Sequence, residues 1–291
     1  MNDFDYAAPT SLAEATALLA QGGRTARVLA GGTDLLVQLR EHLREADLVV
    51  DLKKIPELTA MSYSPSTGLS LGASVPCHRI YENHEVSAAY PALTDAARIV
   101  GGWQIQSRAS VGGNLCNSSP AADTIPPLIA HGAKCRIAGP NGPREVAAEA
   151  FCTAPGKNVL QRGEILTAIV FPPPAPKSGS AYERFIPRNE MDIAVVGAAS
   201  WVRLSADFKT IEQARVALGA VAPTPLFAEE TSNWLAGKPA AEKTFAQAGE
   251  LARQIARPIG DMRGTAEFRV HLVGVLVGRM LARAVDRARG K

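Results

Sequence analysis

The chain has 291 residues, of which 46% are hydrophobic and 20% charged, with 31 Lys+Arg against 28 Asp+Glu. That length supports a sizeable core and points to about two domains, and a net charge of +3 excludes a largely disordered chain. The small basic excess argues against a nucleic-acid binder. The most apolar long stretch, 270–285, is broken by His271, Arg279 and Arg283, so no membrane span is expected.

The opening MNDFDYAAPTSL has no basic segment followed by an apolar one, which predicts a cytoplasmic protein. Ser11 and Glu14 form an S-x-x-E capping box ahead of Leu12, Ala15, Leu18 and Leu19, and Gly22-Gly23 stops that helix. A short apolar strand over 27–30 runs into Gly31-Gly32. Leu35, Leu36, Leu39 and Leu43 follow at helical spacing, and 48–51 reads as a second strand. Together these make a small βαβ-type layer.

Beyond it, 68–72, 134–137 and 164–171 read as strands and 91–100 as a helix, while 107–123 reads as a long turn-rich stretch. The run PPPAPKSG over 172–179 is the clearest linker, since proline removes the backbone donor that helix and sheet interiors need. After it, 194–204 and 213–218 read as strands and 225–235, 244–255 and 265–289 as helices. Arg279, Arg283 and Arg287 recur at i, i+4 on the last helix, either as a solvated face or as a docking face for an acidic partner. Cys77, Cys116, Cys135 and Cys152 contain no C-x-x-C pair, so neither a zinc ribbon nor a local iron–sulfur loop is encoded and reduced thiols are expected.

The chemistry concentrates in two double-glycine turns, LAGGTDL and SVGGN. Two adjacent glycines can turn successive backbone N–H groups toward one point, and such a concavity binds anions. Two of them facing each other would hold a diphosphate with little help from Lys or Arg. Hydroxyls of Thr33 and Ser110 can add donors. Asp34 is expected to start the next helix and turn away from the anion. Neither turn is a G-x-G-x-x-G or a Walker A sequence.

LAGGTDLL, followed some 80 residues later by SVGGNLCNSSPAADTIPPLIAHGA, resembles the FAD-binding (medium) subunit of the molybdenum hydroxylase family, the xanthine dehydrogenase and carbon monoxide dehydrogenase flavoprotein type. The runs FDYAAPTSLAEATALL, GEILTAIVFP, YERFIPRNEMDIAVVGAA and VALGAVAPTPLFAEE extend the resemblance over nearly the whole chain. It implies an α+β, p-cresol methylhydroxylase-type FAD-binding fold: two α+β subdomains over 1–55 and 56–176, then a C-terminal α+β domain of small sheet and helices over 177–291.

The resemblance also implies site residues. Leu29, Ala30, Gly31, Gly32, Thr33 and Asp34 would hold the FAD pyrophosphate from the first subdomain. Ser110, Val111, Gly112, Gly113 and Asn114 would hold it from the second. Asn117 and Ser118 would bond the ribityl chain or ring, and Asp123 would accept from FAD hydroxyls. Leu166 would meet the ring system through its backbone. Arg184 stands where relatives often have Lys, a cation that can favour negative charge on reduced flavin. Ile193 would form an apolar wall near the ring.

FAD would be bound non-covalently, with no catalytic acid or base and no metal on this chain. A molybdenum-cofactor large subunit and a [2Fe–2S] small subunit would be its partners, in a dimer of heterotrimers, and NAD, a quinone or oxygen its electron acceptor. Two other readings are open to the sequence. A stand-alone flavin-dependent oxidase would usually join His or Cys to the flavin, and neither glycine turn contains His. A binding module that has lost FAD would have no need of intact turns.

Overall fold

The structure, a computed structural model, describes residues 2–291. Three sheets of three or more strands follow one another along the chain. The first joins β1 (Asp5–Ala7), β2 (Ala26–Leu29) and β3 (Leu48–Asp51) in the parallel order β1-β3-β2. The helix Leu12–Ala20 lies between β1 and β2. Ser11 Oγ accepts from the Glu14 N–H at 3.2 Å, and the Glu14 carboxylate accepts from the Thr10 N–H, so the box closes one residue earlier than its simplest form. Ala15 and Leu19 of this helix pack with Leu48 and Val50 of β3. Strand β1, only three residues long, carries no signal in the local sequence.

The helix after the first glycine turn, Leu35–Arg40, is shorter than the leucine spacing predicts. His42 takes a left-handed conformation (φ 57°) and the Leu43 N–H turns back to the Gln38 carbonyl. Leu39 is buried, while Leu43 lies beyond the helix and is 73% exposed.

The second sheet is antiparallel, in the order β4-β5-β10-β6-β7. It contains β4 (Met61–Ser64), β5 (Gly68–Gly72), β6 (Lys134–Ala138), β7 (Arg144–Ala147) and β10 (Ile165–Phe171). The hairpin β8 (Cys152–Ala154) and β9 (Lys157–Asn158) stands apart. Leu69, Leu71, Ile169 and Phe171 of this sheet form one core with Leu93, Leu115 and Leu128 of three helices. One of those helices, Val111–Asn117, corrects the reading of 107–123 as continuous turn. Its two glycines and Asn are poor helix formers, but Ser110 caps it by accepting from the Gly113 N–H, and Val111 and Leu115 anchor it in the core.

The third sheet runs β11-β12-β13-β14, formed by β11 (Ser178–Phe185), β12 (Val196–Leu204), β13 (Ile211–Gly219) and β14 (Leu226–Phe227). The end of the proline-rich run, Ser178-Gly179, is therefore strand. Leu226 and Phe227 form an edge strand, and the helix expected over 225–235 spans Glu229–Leu235. Helix Ala266–Ala288, capped by Thr265, lies across β11 and β12, and helix Glu242–Arg253 packs on its far side, with Gly249 against Gly274.

The arginine row of the last helix is mostly spent inside the chain. Arg283 pairs with Glu183 at 2.8 Å, and Arg287 grips Asp95 with two bonds of 2.6 and 2.9 Å. Only Arg279 of the three is left without a partner among the described residues, facing solvent. Among the described residues, no helix is long and apolar enough to cross a membrane.

Candidate cofactor site

A cleft of about 510 Å³ opens between the first and second sheets. Both glycine turns reach it, one from the end of β2 and the other from the start of helix Val111–Asn117. At the first, a Cβ on Gly31 would stand 2.0 Å from the Arg108 carbonyl oxygen, so only glycine lets the turn lie on the backbone that leads into the second glycine pair. Gly32 has φ +80°, a conformation that side chains resist. Lys53 steadies the turn, donating to the Ala30 carbonyl at 3.0 Å and to Asp51 at 2.7 Å. The backbone N–H groups of Gly32 and Thr33 have no acceptor within the protein among the described residues.

The second turn is built differently. Gly112 sits against the Ala73 backbone, where its Cβ would be 2.4 Å from the carbonyl oxygen. A Cβ on Gly113 would meet only Ser110 Oγ, at 3.0 Å, and otherwise open space on the cleft wall. Asn114 Oδ1 accepts from the Thr124 hydroxyl at 2.6 Å and the Thr124 N–H at 3.2 Å, pinning the segment before helix Ile125–Ala130. Asn117 Oδ1 accepts from Gln38 Nε2 at 3.1 Å, which ties the two walls together.

Ala30, Gly31, Gly32, Thr33, Asp34, Ser110, Gly112, Gly113, Asn114, Asn117 and Leu166 are thus gathered around one space, with Cys116 beside them. All four cysteines are free, and burial pushes the Cys116 thiol up to about 12, an unreactive state.

The other expected residues do not line it. Leu29 packs its side chain against the small core around Leu39 and Val49, and Val111 is buried. The Ser118 hydroxyl donates to the Leu115 carbonyl at 2.9 Å. Asp123 and Arg184 bind each other at 2.5 Å, and the Tyr182 hydroxyl donates to the same carboxylate at 2.8 Å. Burial raises the Asp123 carboxyl to about 6 against the pull of Arg184 and Tyr182. Both carboxylate oxygens are therefore engaged by the C-terminal sheet. Ile193 lies 53% exposed outside the lining.

Two further corrections concern charge. Asp34 does not turn away: it lines the cleft and caps no N–H at its helix start. The anion site is also not poor in cations, because Arg24, Arg27, Arg44 and Arg162 line it. Arg24 and Arg27 lie three residues apart at the start of β2, Arg44 and Arg162 come from distant loops, and no local motif marks the four as a set. Tyr182 was missed for the same reason: its value lies in meeting Asp123, 59 positions away.

The donor set fits the diphosphate bridge of a dinucleotide. Unpartnered amides and guanidinium groups are the donors that phosphate oxygens accept from, and the open side of Gly113 leaves room for a ligand to approach the backbone. Two family models match the chain: the FAD binding domain in molybdopterin dehydrogenase over residues 2–174, and the CO dehydrogenase flavoprotein C-terminal domain over 180–284. The chain belongs to the FAD-binding subunits of molybdenum hydroxylases.

Curated members of this family resemble it from end to end. The xanthine dehydrogenase FAD-binding subunit of Escherichia coli O157:H7 is 34% identical, covering 99% of each chain, and the carbon monoxide dehydrogenase medium chain of Hydrogenophaga pseudoflava is 33% identical, covering 98% of each. Among solved structures, CO dehydrogenase from Oligotropha carboxidovorans superposes with a TM-score of 0.93 at 32% identity, covering 98% of this chain and 99% of that one. Quinoline 2-oxidoreductase from Pseudomonas putida 86 superposes with a TM-score of 0.90 at 31% identity, covering 99% and 98%. The chain is an FAD-binding oxidoreductase subunit with an α+β fold.

Proposed function

We propose that this subunit relays electrons within a multi-subunit molybdenum hydroxylase, taking them from [2Fe–2S] clusters on a small subunit and delivering them to an external acceptor. Substrate would be oxidised at a molybdenum cofactor on a large subunit, and the assembly would be a dimer of heterotrimers in the cytoplasm. FAD, held non-covalently, supplies the redox chemistry, able to take up and release electrons. The acceptor would be NAD, a quinone or oxygen.

The single observation that carries the reading is the convergence of two glycine pairs on one cleft, one at the end of β2 and the other at the start of helix Val111–Asn117. The chain's own work is placement. We assign Gly31, Gly32, Thr33, Gly112, Gly113 and the adjoining Ala30, Ser110 and Asn114 to the diphosphate. Asn117 and Leu166 would meet the remainder of the cofactor. Leu29 and Val111 support the two turns from behind. Asp34 would face the ribose or a donor on the ligand rather than a phosphate oxygen, since like charges repel. Ser118, Asp123, Arg184 and Ile193 are given no contact with the diphosphate. No side chain is assigned as acid or base.

Heat or acid denaturation of protein purified from its native host tests this. Yellow FAD freed into the supernatant, with iron, molybdenum and two larger and smaller chains co-purifying, is the expected result. Pigment that stays on the polypeptide would favour a covalent flavin oxidase, and a colourless chain that ignores added FAD would end the flavin reading.

A further inference from the structure

The four arginines of the cleft are not equivalent. Arg24 pairs with Asp5 and donates to the Asp47 carbonyl. Arg162 donates to the carbonyls of Gln21 and Arg24. Arg27 uses only its Nε, donating to the Glu45 carbonyl at 3.0 Å, which leaves both terminal nitrogens without an acceptor. The Arg44 guanidinium has no hydrogen bond and no ion pair among the described residues, although its backbone N–H is fixed to the Gln38 carbonyl. Both Arg27 and Arg44 are half-buried on the cleft wall.

They are also close enough to feel each other. Loss of solvent and the charge of Arg44 both lower the pKa of Arg27. Two like charges held together in a partly dry cleft cost free energy unless an anion lies between them. The acidic lining residues supply it only in part. Glu164 is taken by Arg144 at 2.7 Å, and Asp34, although its carboxyl feels the charge of Arg44, comes within ion-pair distance of neither arginine.

We infer that Arg27 and Arg44 form a guanidinium pair that recognises the diphosphate-bearing nucleotide half of the ligand, and so make this site selective for a dinucleotide over a flavin mononucleotide or free riboflavin. The inference rests on the flavin reading above and adds residues to it. Guanidinium groups suit the role because their planar N–H forks meet phosphate oxygens two at a time. The glycine turns supply neutral amide donors, which the charge of the arginine pair complements. Neither arginine is held in an ion pair, but the charge of Arg44 offsets part of the effect of burial on the Asp34 carboxyl, so the thermal midpoint of each variant is read beside its affinities.

The test uses the full chain stripped of flavin, the variants R27Q, R44Q and R27Q/R44Q, and the conservative R44K. Titrations with FAD, ADP and riboflavin are followed by fluorescence, with thermal midpoints as a folding control. The parent should bind FAD and be competed by ADP. Each single Gln variant should weaken both by about ten-fold or more, with riboflavin binding unchanged, R44K intermediate, and a shallower dependence of FAD affinity on salt. FAD and ADP affinities of the double variant within two-fold of the parent would overturn the arginine pair while leaving the flavin reading intact. A parent that binds ADP but not FAD would overturn the flavin reading instead, and loss of ADP binding in the variants would then still support the pair.

Discussion

The guanidinium of Arg184 meets the carboxylate of Asp123 at 2.5 Å with both side chains under a tenth exposed, joining the C-terminal sheet to the segment that leads into helix Ile125–Ala130. Such a pair gives little net stability over an apolar replacement, yet breaking it leaves a charge stranded out of water. Tyr182 completes the shell around the carboxylate.

D123N should therefore destabilise the protein by about 3–5 kcal/mol, because the Arg184 charge stays buried without its counter-ion. The double variant D123N/R184Q should recover part of that loss. Urea unfolding of the parent, both single variants and the double variant measures the coupling between the two sites. Additive losses would mean that the pair does not act as a unit.

His131 predicts an acid response. Its ring is buried edge-on against Tyr90, 5.3 Å between centroids, and near Phe171, and Nε2 has no hydrogen-bond partner among the described residues. Burial, with the charge of Arg215 nearby, lowers its pKa from 6.5 to about 3. The unfolded chain thus takes up this proton below about 6.5, and the folded one only below about 3. Stability present above the unfolded value should fall as pH drops through that window, by up to ~5 kcal/mol from this residue alone. H131F should flatten the fall between pH 6.5 and 3 in thermal unfolding. An unchanged slope would show that other groups set the acid limit.

The glycines of the cleft should separate binding from folding. G31A drives a methyl into the Arg108 carbonyl, a backbone atom with no freedom to step aside, and should cost about 1–3 kcal/mol or more along with FAD. G113A meets only a hydroxyl at the helix start. Alanine is the better helix former, so this variant should keep or slightly raise the thermal midpoint while its FAD content drops. G32V should also lose FAD, for a reason different from simple filling of the cleft: at φ +80° a β-branched residue is strained, and its Cβ would press on Leu29 and Leu36. FAD content and midpoint measured together distinguish these three outcomes.

Much of this architecture is legible in local sequence. The strand running into Gly31-Gly32, the capped helix after Ser11 and the long helix after Thr265 each follow from residues within one or two turns of each other. What local sequence hides has identifiable causes. Strand β1 is three residues long and owes its form to pairing with β3. Helix Val111–Asn117 opposes its own propensities and depends on a cap and a core that tertiary packing supplies. The helix Leu35–Arg40 ends early because the chain folds back at His42, so a leucine pattern outlives the element it seemed to describe. The cationic side of the cleft is a tertiary fact, assembled from arginines up to 138 positions apart.

Tyr182 gives the C-terminal unit a double attachment. Its hydroxyl serves Asp123, while its backbone N–H donates to Asp95 at 3.0 Å, the same carboxylate that Arg287 clamps. A chimera that swapped in the C-terminal half of a relative would have to bring both anchorages in register, or leave two acids of the flavin half facing a seam with nothing to neutralise them. Transplanting this half between relatives is thus a problem of matching electrostatic sockets, however well the backbones superpose.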